Sequence, residues 1–144
     1  MSHWKAGQLN LKCSLDILRR ALLSIMPQWE GYIEVDEGGG LEVKDMGGVR
    51  QSGYSLKVPN DAPGCHWCDL GFKKEAGGEW TILYDPAGLP EPMKDAPNVM
   101  SLKAAEINIK LDAVKRGHTL IKDTTEGDEV VIHIVVPVGQ KYMF

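Results

Sequence analysis

The sequence has no run approaching the ~20 consecutive apolar residues that a membrane-spanning helix needs. Its opening Met1-Ser2-His3-Trp4-Lys5 lacks the apolar stretch of a secretory signal, so a cytoplasmic location is expected. Cysteine is scarce and odd in number, 3 in 144 residues, and cytosolic thiols stay reduced, which argues against a disulfide framework. A concentrated positive charge is also missing. The 16 Lys+Arg stand against 20 Asp+Glu, a formal net charge of -4, and the basic residues are scattered. Lys73-Lys74 is too short a run for a nucleic-acid footprint, so neither nucleic acid nor a membrane is expected as a partner.

Catalytic and nucleotide-binding motifs are lacking too. No G-x-x-x-x-G-K-[ST] occurs, and no G-x-G-x-x-G lies between a strand and a helix, so Gly38-Gly39-Gly40 and Gly47-Gly48 read as turns rather than phosphate cradles. No G-x-S-x-G elbow is present, and no Ser or Cys has a nearby His in a nucleophile pattern. Internal repeats and low-complexity tracts are absent.

What remains is the composition of a soluble globular domain, 43% hydrophobic and 25% charged, of a size for one folding unit over 1–144. Leu15, Leu18, Leu22 and Ile25 recur at helical spacing between Ser14 and Met26. Ser14 is placed to cap that helix, Asp16 suits its positive end, and Pro27 stops it. A short edge strand precedes it, between Ser2 and Leu11. The period then changes from 3.6 to 2. Trp29, Gly31, Ile33 and Val35 alternate with polar residues as far as Asp36, and the alternation resumes over Leu41-Glu42-Val43-Lys44, so these two strands are expected to form a hairpin across Gly38-Gly39-Gly40. Tyr54 to Val58 alternates as a further strand and stops at Pro59. Leu70 and Phe72 lead through Gly77-Gly78 to Trp80–Tyr84, a second hairpin.

Four prolines mark Asp85 to Asn98 as a crossover loop that no helix should enter before its end. Met100, Ala104, Ile107, Leu111 and Val114 then form a helical stripe, with Gly117 just past its end. A last hairpin runs from Thr119 to Lys122, turns at Glu126-Gly127-Asp128, and returns with Val130, Ile132, Ile134 and Val136 toward the core and His133 opposite; 137–144 would be a tail. The order of elements predicts an α+β domain, with two helices packed on one face of a mostly antiparallel sheet.

Several of these segments, taken in order, carry a family likeness. They are Met1-Ser2-His3-Trp4, the Leu-rich helix, the strand Asp69-Leu70-Gly71-Phe72, and the closing unit Ala113-Val114-Lys115-Arg116-Gly117-His118-Thr119 followed by Gly127-Asp128-Glu129-Val130. In this arrangement the chain resembles the hypothetical chloroplast reading frame thirty-five family, a domain of unknown function found in cyanobacteria, algal plastids and other bacteria. The resemblance implies an accessory protein. The family has no established activity, and its genes often lie near one for an AAA-type ATPase, which would make such an ATPase the expected partner. The chain departs from the family in the Gly-rich stretch from Gly31 to Lys44 and in Gly64-Cys65-His66-Trp67-Cys68.

That second departure is the sharpest local feature. Two thiolates separated by two residues can face one centre and supply half of a tetrahedral zinc or iron site, so Cys65 and Cys68 are the metal candidates. The missing ligands would come from His66 or Cys13, from His3, His118 or His133, or from a second subunit. A redox pair would need a helix N-terminus, and Asp69-Leu70-Gly71-Phe72 reads as strand. The plain alternative is that Cys68 enters the strand as a small apolar residue and Cys65 is an ordinary loop thiol. Glu30, Glu34, Asp36 and Glu42 gather negative charge without calcium-type spacing, as a solvated sheet face does. Trp29 and Trp80 fall on apolar strand faces and belong to the core, whereas Trp4 and Trp67 become interface anchors if exposed. The expectation is therefore a non-catalytic adaptor that acts through a protein partner without a cofactor, using a sheet edge, the Asp85 to Asn98 loop and the Cys65 to Cys68 loop. The alternative is a small metalloprotein with zinc or iron at Cys65 and Cys68.

Overall fold

The computed structural model describes residues 4–9, 12–117, 119–126 and 129–135, with side chains up to 117. The expected α+β architecture is present. The elements in chain order are β1 (Lys5–Leu9), α1 (Leu15–Ile25), β2 (Glu34–Val35), β3 (Leu41–Lys44), β4 (Arg50–Tyr54), β5 (Leu56–Val58), β6 (Leu70–Lys74), β7 (Trp80–Tyr84), α2 (Ala96–Lys115), β8 (Thr119–Glu126) and β9 (Glu129–Val135). Five strands form the main sheet in the order β1-β7-β6-β5-β2, every neighbouring pair antiparallel.

Helix α1 forms as its sequence dictates. The Ser14 hydroxyl accepts from the Ile17 N–H at 3.2 Å, which satisfies a free donor of the first turn and is worth ~1 kcal/mol. Leu18, Ala21 and Leu22 are buried, and Asp16 pairs with Arg20 on the exposed side at 2.9 Å. Leu56, Val58, Leu70, Phe72, Trp80 and Ile82 point from one face of the sheet into the same core as Leu18, Leu22, Met100 and Ala104. Each fully buried large apolar side chain there contributes roughly 1.5–3 kcal/mol. Leu56, Phe72 and Ile82 lie directly opposite one another across β5, β6 and β7, so the helices cover one continuous apolar stripe.

The other face of the sheet is covered by a separate ribbon of β3 and β4, and here the expected pairing is corrected. Leu41–Lys44 does not pair with the strand before Gly38. It pairs with Arg50–Tyr54, while Glu34–Val35 pairs with Leu56–Val58. The reason is local. The Asp36 carboxylate accepts from the N–H groups of Gly38 and Gly40 at 2.9 and 3.1 Å, turning the chain out of the sheet plane, and Gly47-Gly48 forms the hairpin turn instead. Asp45 closes that turn, its Oδ1 accepting from Val49 N at 2.9 Å. Val43 and Tyr54 then pack on Leu83, and an ideal Cβ on Gly71 would lie 2.8 Å from Tyr54 Cδ2 and 2.9 Å from Val43 Cγ1. Only glycine lets the ribbon approach β6 so closely.

Three further expectations change. Trp29 to Asp36 is mostly a 3-10 turn (Pro27–Trp29) and loop, since Pro27 sets a helical φ and the Trp29 side chain turns into the core, its indole N–H donating to Pro63 O at 2.8 Å. The Tyr54 to Val58 strand is broken at Ser55, where the chain crosses from the ribbon to the main sheet. Helix α2 starts at Ala96, before the expected end of the proline loop, because Pro97 falls in the first turn, where a missing N–H costs nothing. The strands β8 and β9 form a two-stranded sheet of their own. The side chains of His118, Val130, Ile132, His133 and Ile134, together with residues 1–3 and 136–144, lie outside the described residues. Among the described residues no helix is long and apolar enough to cross a membrane.

Candidate functional site

Beyond the N-terminal end of β6, the loop from Pro59 to Asp69 meets the tip of the β3–β4 ribbon. An open cleft of about 570 Å³ lies between them, lined by Lys44, Met46 and Arg50 on the ribbon and by Asn60, His66 and Trp67 on the loop. Asp69 builds it. The carboxylate is 1% exposed, and each of its oxygens accepts a backbone N–H at 2.9 Å, Oδ2 from Lys44 and Oδ1 from Asn60. The ammonium of Lys57 stands 3.7 Å from Oδ2. The backbone of Asp69 adds two more ties: its N–H donates to Lys44 O at 3.0 Å, and its carbonyl accepts from the Trp4 indole at 3.1 Å. Trp4 is therefore a structural clasp and not an exposed anchor.

Trp67 is the exposed one, at 44% of its surface. Its backbone has φ 71, and among the described non-glycine residues no other has positive φ. The N–H of Cys68 donates to the carbonyl of His66 at 2.8 Å, so residues 66–68 form a γ-turn in its rare, strained hand. Such a conformation costs a residue with a Cβ about 1–2 kcal/mol and persists only where neighbours over-determine it. Here Asn60 Nδ2 donates to Trp67 O at 3.1 Å, and His66 N donates to Gly88 O at 2.8 Å. Trp67→Gly and Trp67→Ala both delete the indole and differ by one Cβ. Trp67→Gly should be the more stable of the two by about 1 kcal/mol, the reverse of the order in regular structure, as read from urea midpoints.

Cys65 precedes this turn and Cys68 ends it, and the two do not share an environment. Cys65 is buried within the main core, and burial, reinforced by the negative charges of Asp61 and Asp69, pushes its thiol up to about 11. Cys68 is buried beside Asp85, with the sulfur 3.9 Å from Oδ2. Cys13 is not brought to them. It lies at the far end of β6, its carbonyl accepting from the Trp80 indole at 3.0 Å and its thiol raised by burial against the weaker pull of Lys74. The length of β6 alone separates the two ends by about 13 Å. Among the described residues no three His, Cys, Asp or Glu side chains gather to hold a metal ion. Of the acidic residues read together, Glu42 pairs with Arg50 at 3.0 Å, Glu34 stands 3.9 Å from Lys57, and Asp36 caps its own turn.

Compared with protein-family models, curated proteins and solved structures, the chain matches none of them.

The cleft thus rests on its own geometry. Trp67 and His66 were singled out in the sequence, whereas Met46, Val49, Lys44 and Arg50 were not. Their signal is two apolar residues flanking Gly47-Gly48, since a turn at a ribbon tip has no core to bury them in. Met46 and Val49 are 57% and 56% exposed.

Proposed function

We propose that the protein is a non-catalytic adaptor that docks a protein partner in the cleft between the β3–β4 tip and the Pro59 to Asp69 loop, with Trp67 as its anchor. One observation carries this reading. The fold keeps a strained γ-turn whose effect is to hold an indole half in solvent, in a cleft it shares with exposed Met46. Aromatic side chains presented on rigid supports are the residues that most often dominate interface energies. The resemblance to the chloroplast reading frame thirty-five family names an AAA-type ATPase as the partner to try first. In the alternative reading Cys65 and Cys68 hold zinc or iron, with the remaining ligands supplied from outside the described residues or by a second subunit.

The test is a reconstituted complex. A partner that co-purifies with the wild type is produced separately and titrated calorimetrically against wild type and Trp67→Ala. A hot-spot anchor predicts a loss of about 30-fold or more in affinity. An unchanged affinity rejects the cleft as the docking site.

A further inference from the structure

The cleft beside Trp67 is charged against the trend of the chain. The whole sequence is net negative at -4, whereas among the described residues the charged side chains lining this space are Lys44 and Arg50 against Asp45, with the His66 imidazole beside them. Asp45 keeps its charge, but its Oδ1 is directed at the Val49 N–H of the ribbon turn. The Arg50 pair with Glu42 lies on the rim with both side chains more than half exposed, 65% and 51%, so it exchanges readily for another carboxylate. Exposed Met46 and Trp67 line the same cleft as Lys44 and Arg50.

We propose that the cleft receives an acidic segment of the protein partner, with a carboxylate side chain entering between Lys44, Arg50 and His66 and a neighbouring apolar side chain lying over Trp67 and Met46. The inference rests on the adaptor reading and adds the chemistry of the partner. The Arg50 guanidinium offers the planar fork that a carboxylate meets with two parallel hydrogen bonds. The charges set approach and register, while Met46 and Trp67 supply the water-excluding contact that slows dissociation. A nucleic acid would also meet cations and an indole here. Its long polyanionic backbone would, however, run past the cleft onto the net-negative remainder of the surface, whereas a short acidic segment ends within it.

Fluorescence anisotropy on the full chain tests this with three labelled probes: a peptide alternating Glu with Leu and Phe, the same peptide with Lys for Glu, and a short oligothymidylate. The acidic peptide is expected to bind at least about tenfold more tightly than either other probe, and to weaken several-fold between about 0.05 and about 0.3 M salt. Lys44→Gln with Arg50→Gln should weaken it about tenfold without changing the melting temperature. Equal binding of both peptides, indifference to the double substitution, or tighter binding of the oligothymidylate overturns the proposal. The same double variant, titrated with the reconstituted partner, separates the two levels. Affinity that depends on Trp67 but not on Lys44 and Arg50 leaves the docking site standing and removes the acidic segment; affinity that depends on neither removes both.

Discussion

Asp69→Ala is expected to lose about 3–5 kcal/mol of folding stability, the loss typical of removing one member of a buried charged pair. The arithmetic follows from its partners. Deleting the carboxylate leaves the backbone N–H groups of Lys44 and Asn60 without acceptors, each costing about 1–3 kcal/mol when buried, and it leaves Lys57 with only Glu42 O and the more distant Glu34. A small domain is stable by only about 5–15 kcal/mol in total, so this single change should bring unfolding within reach of physiological temperature. Asp69→Asn separates hydrogen bonding from shape. An amide has one acceptor where the carboxylate has two, so it can serve Lys44 or Asn60 but must turn its NH2 toward the other donor. Its stability should fall between those of wild type and alanine. Urea denaturation near neutral pH measures all three, and a loss below about 1 kcal/mol for Asp69→Ala would show that Asp69 does not organise the cleft.

The second large effect is expected from a methyl group. An ideal Cβ on Gly88 lies 2.3 Å from the backbone oxygen of His66 and 3.3 Å from Trp67 Cε3. A flexible side chain could yield, but His66 O is itself held by the Cys68 N–H, and His66 N is bound to Gly88 O. Gly88→Ala must therefore push the γ-turn away from the 3-10 turn Pro86–Gly88 or break both bonds. Overpacking of this kind costs about 1–3 kcal/mol, and the backbone contact puts this case at the upper end. The functional consequence should exceed the loss of stability. Trp67 keeps its identity yet loses its position, so partner affinity should drop as in Trp67→Ala. A Gly88→Ala protein with wild-type melting and wild-type partner affinity would refute the view that this contact sets the anchor.

These two sites also show how far the chain could be read without coordinates. Asp69 stood in the sequence only as the first residue of a strand, because its acceptors are filled by Lys44 and Asn60, and nothing in local spacing announces that those segments will converge. Gly88 sat in a proline-rich loop, where a glycine needs no explanation until His66 is found against it. Trp67 was legible as an aromatic residue in a turn. Whether it would be buried depended on the hand of that turn, which the hydrogen bonds from Asn60 and to Gly88 select.

Local physics was enough where one element answers to its own residues. Ser14, the apolar spacing from Leu15 to Ile25 and Pro27 determine α1; the alternation on either side of Gly77-Gly78 determines the β6–β7 hairpin; and Met100, Ala104 and Ile107 give α2 its core-facing side, whereas Leu111 and Val114, expected on the same stripe, are 41% and 64% exposed. Strand partnership was not contained in those patterns. Leu41–Lys44 alternates equally well beside Glu34–Val35 or Arg50–Tyr54, and glycine turns precede and follow it, so period alone permits both hairpins. The tertiary structure chose the second, because the opposite face of the main sheet, opened by Gly71 and Leu83, could be covered only if Val43 and Tyr54 came to lie over it. The same choice carried Lys44, Met46 and Arg50 to the side of Trp67 and created the cleft.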